Sequence, residues 1–262
     1  MPVCPEQFAR DLTISFFITE LSEYFSFFVP GYRFMPAFKN KVWDGKIRMF
    51  NQLTGELNAG LYIYVIKFCE ERGYILDTEE TDYGFPISLD KFDPELLLNF
   101  YNALKLPFSP RDYQQDAVRI ALERKRAILI SPTGSGKSFI MYLLMRHILG
   151  TEEGKILIIV PTTSLVEQLY KDFIDYGYDS ENKVHKIYSG KDKITNKRII
   201  ISTWQSIYKL PRKWFLQFSA VFGDECHGFK SKSLSSIMNK ATEAEYRIGL
   251  TGTLDGTQTH KL

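Results

Sequence analysis

The sequence predicts an α/β fold: a mainly parallel β-sheet with helices between its strands, preceded by a small α+β domain. Three observations carry this. Six short apolar runs recur after residue 106: Ala127–Ile130, Ile156–Val160, Val184–Tyr188, Ile199–Ser202, Ala220–Gly223 and Arg247–Leu250. Near-continuous Ile, Val and Leu suit strands covered on both faces. Segments of helical character separate most of these runs, as in a three-layer domain whose ligand site lies at the carboxyl ends of its strands. Before residue 106 the alternation is missing. There Asp93-Pro94 opens a helix running to about Leu104, with Asp93 as N-cap and Pro94 at its first position, and Leu106-Pro107-Phe108-Ser109-Pro110 forms a connector. The expected boundaries are 1–105 for the small domain and 106–262 for the α/β domain.

Within the small domain, Leu12–Phe17 reads as a strand and Thr19–Phe27 as a short helix. Trp43-Asp44-Gly45 turns into a strand, Ile47–Phe50, and residues 51–55 turn again. Leu61, Tyr64, Val65, Phe68 and Cys69 recur at helical spacing, and Gly73 is placed to end that helix. Between residues 31 and 50, Arg33, Lys39, Lys41, Lys46 and Arg48 face a single acid, Asp44. Tyr32, Phe34, Phe38, Trp43 and Phe50 are interleaved with them. Cations suit phosphates, and rings suit unpaired bases at a junction. The alternative is a small aromatic core beneath a solvated basic face. Tyr32, Phe34 and Phe50 are assigned to core, and the five cations to DNA contact because the rest of the domain is acidic.

Composition narrows the classes. With 44% hydrophobic and 24% charged residues, the chain is that of a globular protein rather than a disordered one. No apolar run approaches the ~20 residues that span a bilayer. The first residues, Met1 to Glu6, lack the basic and apolar regions of a signal peptide. Cys4, Cys69 and Cys226 are odd in number and far apart, which fits free thiols in a reducing cytosol, and no Cys/His cluster has zinc spacing. The overall charge of +2 divides unevenly: residues 1–105 carry net −5 and residues 106–262 net +7, the sign a phosphate-backbone binder needs.

Ser131-Pro132-Thr133-Gly134-Ser135-Gly136-Lys137-Ser138 joins the first apolar run to a helix-compatible segment. A strand, a small-residue turn and a helix in that order direct successive backbone N–H groups and the positive helix end at one point, a phosphate cradle. Thr133, Gly134, Ser135 and Gly136 line it. Lys137 suits the β- and γ-phosphates of a nucleotide, and Ser138 offers a hydroxyl to Mg²⁺. Ser131 stands where the strict motif has its first Gly. Asp224-Glu225-Cys226-His227 follows the run Ala220–Gly223. A carboxylate at a strand end beside such a loop is where a Mg²⁺ ligand is needed, so Asp224 is expected to hold the metal and Glu225 to polarise an attacking water. Pro161-Thr162-Thr163 and Ser202-Thr203 lie just past strand ends. Small hydroxyls and free backbone N–H groups there can grip a nucleic-acid backbone, or simply cap helices and turns.

In this order the motifs resemble those of the first RecA-like domain of superfamily-2 helicases. Phe108, Arg111 and Tyr113-Gln114 resemble the adenine-recognising Q motif. Ile158 to Gln168 resembles motif Ia, and Ile201 to Ser206 resembles motif Ib. Asp224-Glu225-Cys226-His227 is similar to a DECH-type motif II, and Leu250-Thr251-Gly252-Thr253 to motif III. The resemblance covers residues 108–253. It implies ATP and Mg²⁺ as cofactors. It also implies base recognition by Arg111 and Gln114, strand contact by Pro161, Thr162, Thr163 and Thr203, and coupling through Thr251 and Thr253, with His227 either relay or structural hydrogen-bonder. It further implies a second RecA-like domain bearing an arginine finger. Without that domain the chain reads as part of a longer protein, expected to bind ATP weakly and turn it over slowly.

The front residues, Phe25 to Phe34, Trp43 to Arg48 and Lys67 to Tyr74, are similar to the N-terminal domain of phage branch-migration and fork-remodelling DNA helicases. That implies branched DNA as partner and the cytoplasm of a bacterial host as setting. An RNA-directed helicase, an ATP- and DNA-binding module without turnover, and the motor subunit of a restriction complex remain as alternatives.

Overall fold

The computed structural model describes residues 16–77, 93–227 and 232–252. They fall into two compact units, one up to residue 77 and one from residue 93.

In the front unit, α1 is helical over residues 16–24. Residues 12–15 of the expected strand lie outside the described residues, and Phe16 and Phe17 are helical instead. The reason is spacing: Phe17, Leu21 and Phe25 recur every four residues and meet one core with Phe50, Leu61, Phe68 and Cys69. The chain leaves the helix before Phe27, because β1 (Ser26–Phe28) pairs antiparallel with β2 (Lys46–Arg48). A short 3₁₀ turn at Tyr32–Phe34 and α2 (Pro36–Lys39) lie between the two strands. α3 (Tyr62–Arg72) ends at Gly73, whose left-handed φ of 69° matches its expected role.

Phe50 is buried as expected, but Phe34 is 81% exposed and Tyr32 is half-buried. Tyr32 stacks on Phe28 at 4.7 Å and meets Phe38 edge-on at 4.8 Å. Its ring also covers Gly45, where a β-carbon would lie 2.2 Å from Tyr32 Cδ2 and where φ is 81°. Tyr32 is therefore the anchor of its segment, and Phe34 projects from it.

The second unit holds α4 (Pro94–Ala103), α5 (Asp112–Arg124), β3 (Arg126–Ile130), α6 (Lys137–Thr151), β4 (Lys155–Val160), α7 (Thr163–Asp175), α8 (Ser180–Lys183), β5 (Val184–Ile187), β6 (Ile199–Thr203), α9 (Trp204–Ile207), α10 (Arg212–Phe215), β7 (Phe218–Asp224), α11 (Lys232–Lys240) and β8 (Tyr246–Thr251). Asp93 caps α4 by accepting from the Glu95 N–H at 2.9 Å, with Pro94 next in line. The structure differs from the expected boundary at 105/106. Leu97 and Tyr101 of α4 share a buried cluster with Val118 and Leu122 of α5 and Met145 of α6, so α4 belongs to the larger unit.

All six expected strands form one parallel sheet, in the order β3-β8-β7-β4-β6-β5. Alternation assigns its two faces. Ile156, Ile158 and Val160 turn toward α5, α6 and α7, while Leu157 and Ile159 turn toward Ile207, Phe215 and Ile237 on the other side. That is the three-layer α/β architecture with a small α+β unit before it. Parallel pairing places every strand's carboxyl end at one edge. From β3 to β6, that edge carries Ser131, Thr251, Asp224, Pro161 and Thr203.

Candidate functional site

β3 delivers the phosphate loop and α6 receives it. Ser131 N–H donates to Thr251 O at 2.8 Å, tying the loop's start to the end of β8. Gly134 and Gly136 both have φ of 82°. At Gly136 a β-carbon would also lie 2.5 Å from Gln114 Nε2, so the site requires glycine twice over. The loop is folded on itself. Ser135 Oγ donates to Pro132 O at 2.6 Å and lies 2.5 Å from Ser131 Oγ. Ser131 is the residue that departs from the strict motif, and its hydroxyl has this use.

The Q-motif side chains brace the loop from outside. Gln114 is buried, accepts from the Arg111 N–H at 3.0 Å and donates to Ser135 O at 2.9 Å. Tyr113 Oη donates to the same carbonyl at 3.0 Å. The amide expected to read a base edge thus ties the loop, at Ser135 O, to the start of α5 at Arg111. Arg111 is exposed beside it. Phe108 lies against Phe139 at 4.7 Å and edge-on to Tyr176 at 5.9 Å.

Lys137 Nζ donates to Ser131 O at 3.3 Å and pairs with Glu225 Oε1 at 3.7 Å. Glu225 has φ of 48°, rare for a residue with a side chain, at the turn leaving β7. Its other oxygen lies 3.3 Å from His227 Nδ1, which is 3.0 Å from Thr251 Oγ1. A continuous polar chain therefore runs Lys137–Glu225–His227–Thr251. Thr253 lies outside the described residues.

Asp224 ends β7. Its Oδ1 is buried without a hydrogen-bond partner among the described residues. Burial first, and the neighbouring Glu225 charge second, raise its carboxyl above the usual range. A lone buried carboxylate oxygen beside a phosphate loop is chemically suited to a divalent cation or its bound water. Burial likewise pushes the Cys226 thiol up to about 11, which marks it as packing rather than chemistry. The Ser138 hydroxyl is 2.9 Å from Tyr176 Oη, a neighbour that no sequence motif signalled.

One strand along from β7, at the end of β4, Thr162 caps α7 by accepting from the Leu165 N–H at 3.3 Å, and Thr163 is exposed. Thr203 is only 6% exposed and its hydroxyl meets Ser206 Oγ at 2.9 Å, so its side chain is occupied within the protein. Gln205 is the exposed group at this point. Its amide donates to Pro161 O at 3.3 Å and joins the two segments. Its place inside the motif Ib resemblance was the available signal.

In the front unit the five cations divide into two sets. Lys46 is paired with Glu23 at 2.6 Å, and Arg48 is paired with Asp44. The Arg48 guanidinium holds the Asp44 carboxyl down to about 2. Arg33, Lys39 and Lys41 have no carboxylate partner among the described residues. They line an open concavity of about 530 Å³ with Phe38, Val42, Trp43 and the Arg48-paired Asp44.

Phosphate loop, strand-end Asp-Glu and parallel sheet together make a RecA-like α/β domain. The chain belongs to the superfamily-2 helicase family: residues 107–256 match the family model described as type III restriction enzyme, res subunit. Residues 13–79 match the model described as DNA helicase UvsW, N-terminal. The chain is 41% identical over 249 residues to the ATP-dependent DNA helicase uvsW of Enterobacteria phage T4, covering 90% of this chain and 48% of that protein. It is 26% identical to the DNA 3'-5' translocase XPB2 of Sulfurisphaera tokodaii, covering 88% of this chain and 45% of the relative. A crystal structure of the bacteriophage T4 UvsW helicase superposes with a TM-score of 0.82 at 35% identity, covering 93% of this chain and 88% of that one. The chain spans about half the length of these curated relatives. The restriction-type model matches the α/β unit alone, and the front unit's match is to UvsW.

Proposed function

We propose that this chain is the ATP-binding part of an ATP-dependent DNA helicase or translocase that acts on branched DNA in recombination, repair or fork remodelling in a bacterial cytoplasm. One observation carries the reading. A single sheet edge holds the phosphate loop, Asp224-Glu225 and Thr251 at its β3-β8-β7 end, with Pro161, Thr162, Thr163 and Thr203 beside them at β4-β6.

Lys137, Thr133, Gly134, Ser135 and Gly136 bind the phosphates of ATP, and Arg111 and Gln114 stand on its base side. Lys137 leaves Glu225 for the incoming phosphates, which frees Glu225 to orient and polarise the attacking water. Asp224 and Ser138 would hold Mg²⁺, which when bound would neutralise phosphate charge. The break at Glu225 passes to His227 and Thr251, and Thr253 stands beside that chain in sequence. Pro161 and the Thr162 and Thr163 segment contact the strand, with Thr203 supporting them through its backbone. Arg33, Lys39 and Lys41 carry the front unit's phosphate contacts.

The test is ATP turnover by the chain joined to a second RecA-like domain, stimulated in turn by branched DNA and by RNA. Stimulation by branched DNA that disappears in Glu225→Gln is expected. Preferential stimulation by RNA would point to an RNA-directed helicase. Absent turnover with retained DNA binding would leave a binding module.

A further inference from the structure

The front unit presents an aromatic ring that its own core does not use. Phe34 is 81% exposed, and its neighbour Met35 is 38% exposed. A flexible loop would bury such a ring by collapse, yet this segment is braced. The 3₁₀ turn Tyr32–Phe34 is entered through Gly31 at φ 71° and followed by Pro36 at the start of α2. Tyr32 fixes the turn from below by stacking on Phe28 and covering Gly45. Val42, on the same segment, is 81% exposed.

The charge around the ring is one-sided. Arg33 precedes Phe34, and among the described residues its guanidinium is engaged by the Tyr32 hydroxyl at 3.2 Å and the Tyr32 ring at 5.7 Å. Lys39 and Lys41 follow within seven residues, and neither has a carboxylate partner among the described residues. The segment's acid, Asp44, is already paired with Arg48. A protein partner would more often answer an exposed Phe with apolar surface alone. Unpaired cations beside a rigid exposed ring instead suit a strand whose phosphates are held while a base is stacked.

We propose that Phe34 is a base-stacking wedge that takes an unpaired nucleobase at a single-strand/duplex junction, with Arg33, Lys39 and Lys41 holding the flanking phosphates. This rests on the DNA-motor reading above and adds what the front unit recognises: the unstacked base at the branch rather than duplex backbone alone. Phe34 supports nothing in the core, so its replacement leaves the unit folded.

The experiment measures binding of this chain to a forked DNA and to a fully paired duplex of the same length. Phe34→Ala is expected to weaken fork binding about tenfold, the loss of one stacked base. It should leave duplex binding and its salt dependence unchanged, and Phe34→Trp should retain fork binding. A 5-iodouracil at the first unpaired position should crosslink to the peptide that contains Phe34. Equal losses on fork and duplex, or fork binding unchanged in Phe34→Ala, would overturn the wedge. Lys39→Gln/Lys41→Gln separates the two claims. If that variant binds both DNAs as the unaltered chain does, Lys39 and Lys41 do not hold the flanking phosphates and that part of the proposal is overturned.

Discussion

The two units of this chain carry their chemistry differently. In the α/β unit, position comes from topology. Parallel pairing puts Ser131, Thr251 and Asp224 at adjacent strand ends whatever their side chains do. In the front unit, position comes from partners. Lys46 and Arg48 lie on the same strand and look equivalent to Lys39 and Lys41 in sequence, but the first two are neutralised by Glu23 and Asp44. A site built on backbone geometry is robust to surface changes, whereas one built on unpaired charge can be removed or created by a single acid.

That contrast can be broken at several points, and the largest effects belong to the ATP site. Glu225→Gln should spare nucleotide binding and slow turnover by about 10²–10⁴-fold, the range for losing a general base, as single-turnover hydrolysis would measure. Gly136→Ala should cost about 1–3 kcal/mol through its backbone conformation alone, and displacement of Gln114 should weaken nucleotide binding as well. Denaturant melts paired with nucleotide titrations check both effects. Gly45→Ala is the matching change in the front unit. It should dislodge Tyr32 and loosen that unit, seen as faster amide exchange in β1 and β2, while nucleotide affinity stays as it was.

Smaller effects separate the two cation sets. Lys39→Gln/Lys41→Gln should lower the salt slope of DNA binding by about two. Lys46→Gln/Arg48→Gln should barely move it, because exposed ion pairs contribute about 0–1 kcal/mol and their charge is already answered. If both pairs of changes act alike, the division by partner is wrong. The smallest effect is the Asp44 titration. Its carboxyl is held below its ordinary value by Arg48, so the pair's contribution is present above the unfolded carboxylate range and is lost as pH falls through about 2. NMR titration should move the midpoint up toward the ordinary range in Arg48→Ala, the Lys46 N–H to Asp44 Oδ1 bond holding back part of the return.

The sequence was legible where a pattern maps onto backbone. Six strands were readable because buried parallel strands need unbroken Ile, Val and Leu, and the phosphate loop because its glycines answer a conformational demand. The boundary at 105/106 was not readable. The connector's prolines mark a turn, but Leu97 and Tyr101 decide by packing which unit α4 joins. Phe17 read as strand because its i+4 and i+8 partners, Leu21 and Phe25, lay across the expected strand–helix break. Phe34 read as core because sequence shows that a ring is apolar, not whether Tyr32 has already filled the place. Tyr176 was invisible for a similar reason: it reaches Ser138 across 38 residues and has no motif of its own.

The central claim is that the loop from Ser131 to Ser138 binds ATP with Lys137 as its cation. The most direct measurement is an equilibrium titration of a fluorescent ADP or ATP analogue into this chain and into Lys137→Ala. The account predicts saturable one-site binding that falls by about a hundredfold in Lys137→Ala, within the ~2–5 kcal/mol lost on truncating one member of a buried charge pair, and that is unaffected by Lys39→Gln/Lys41→Gln. Equal affinity in Lys137→Ala and the unaltered chain would contradict it.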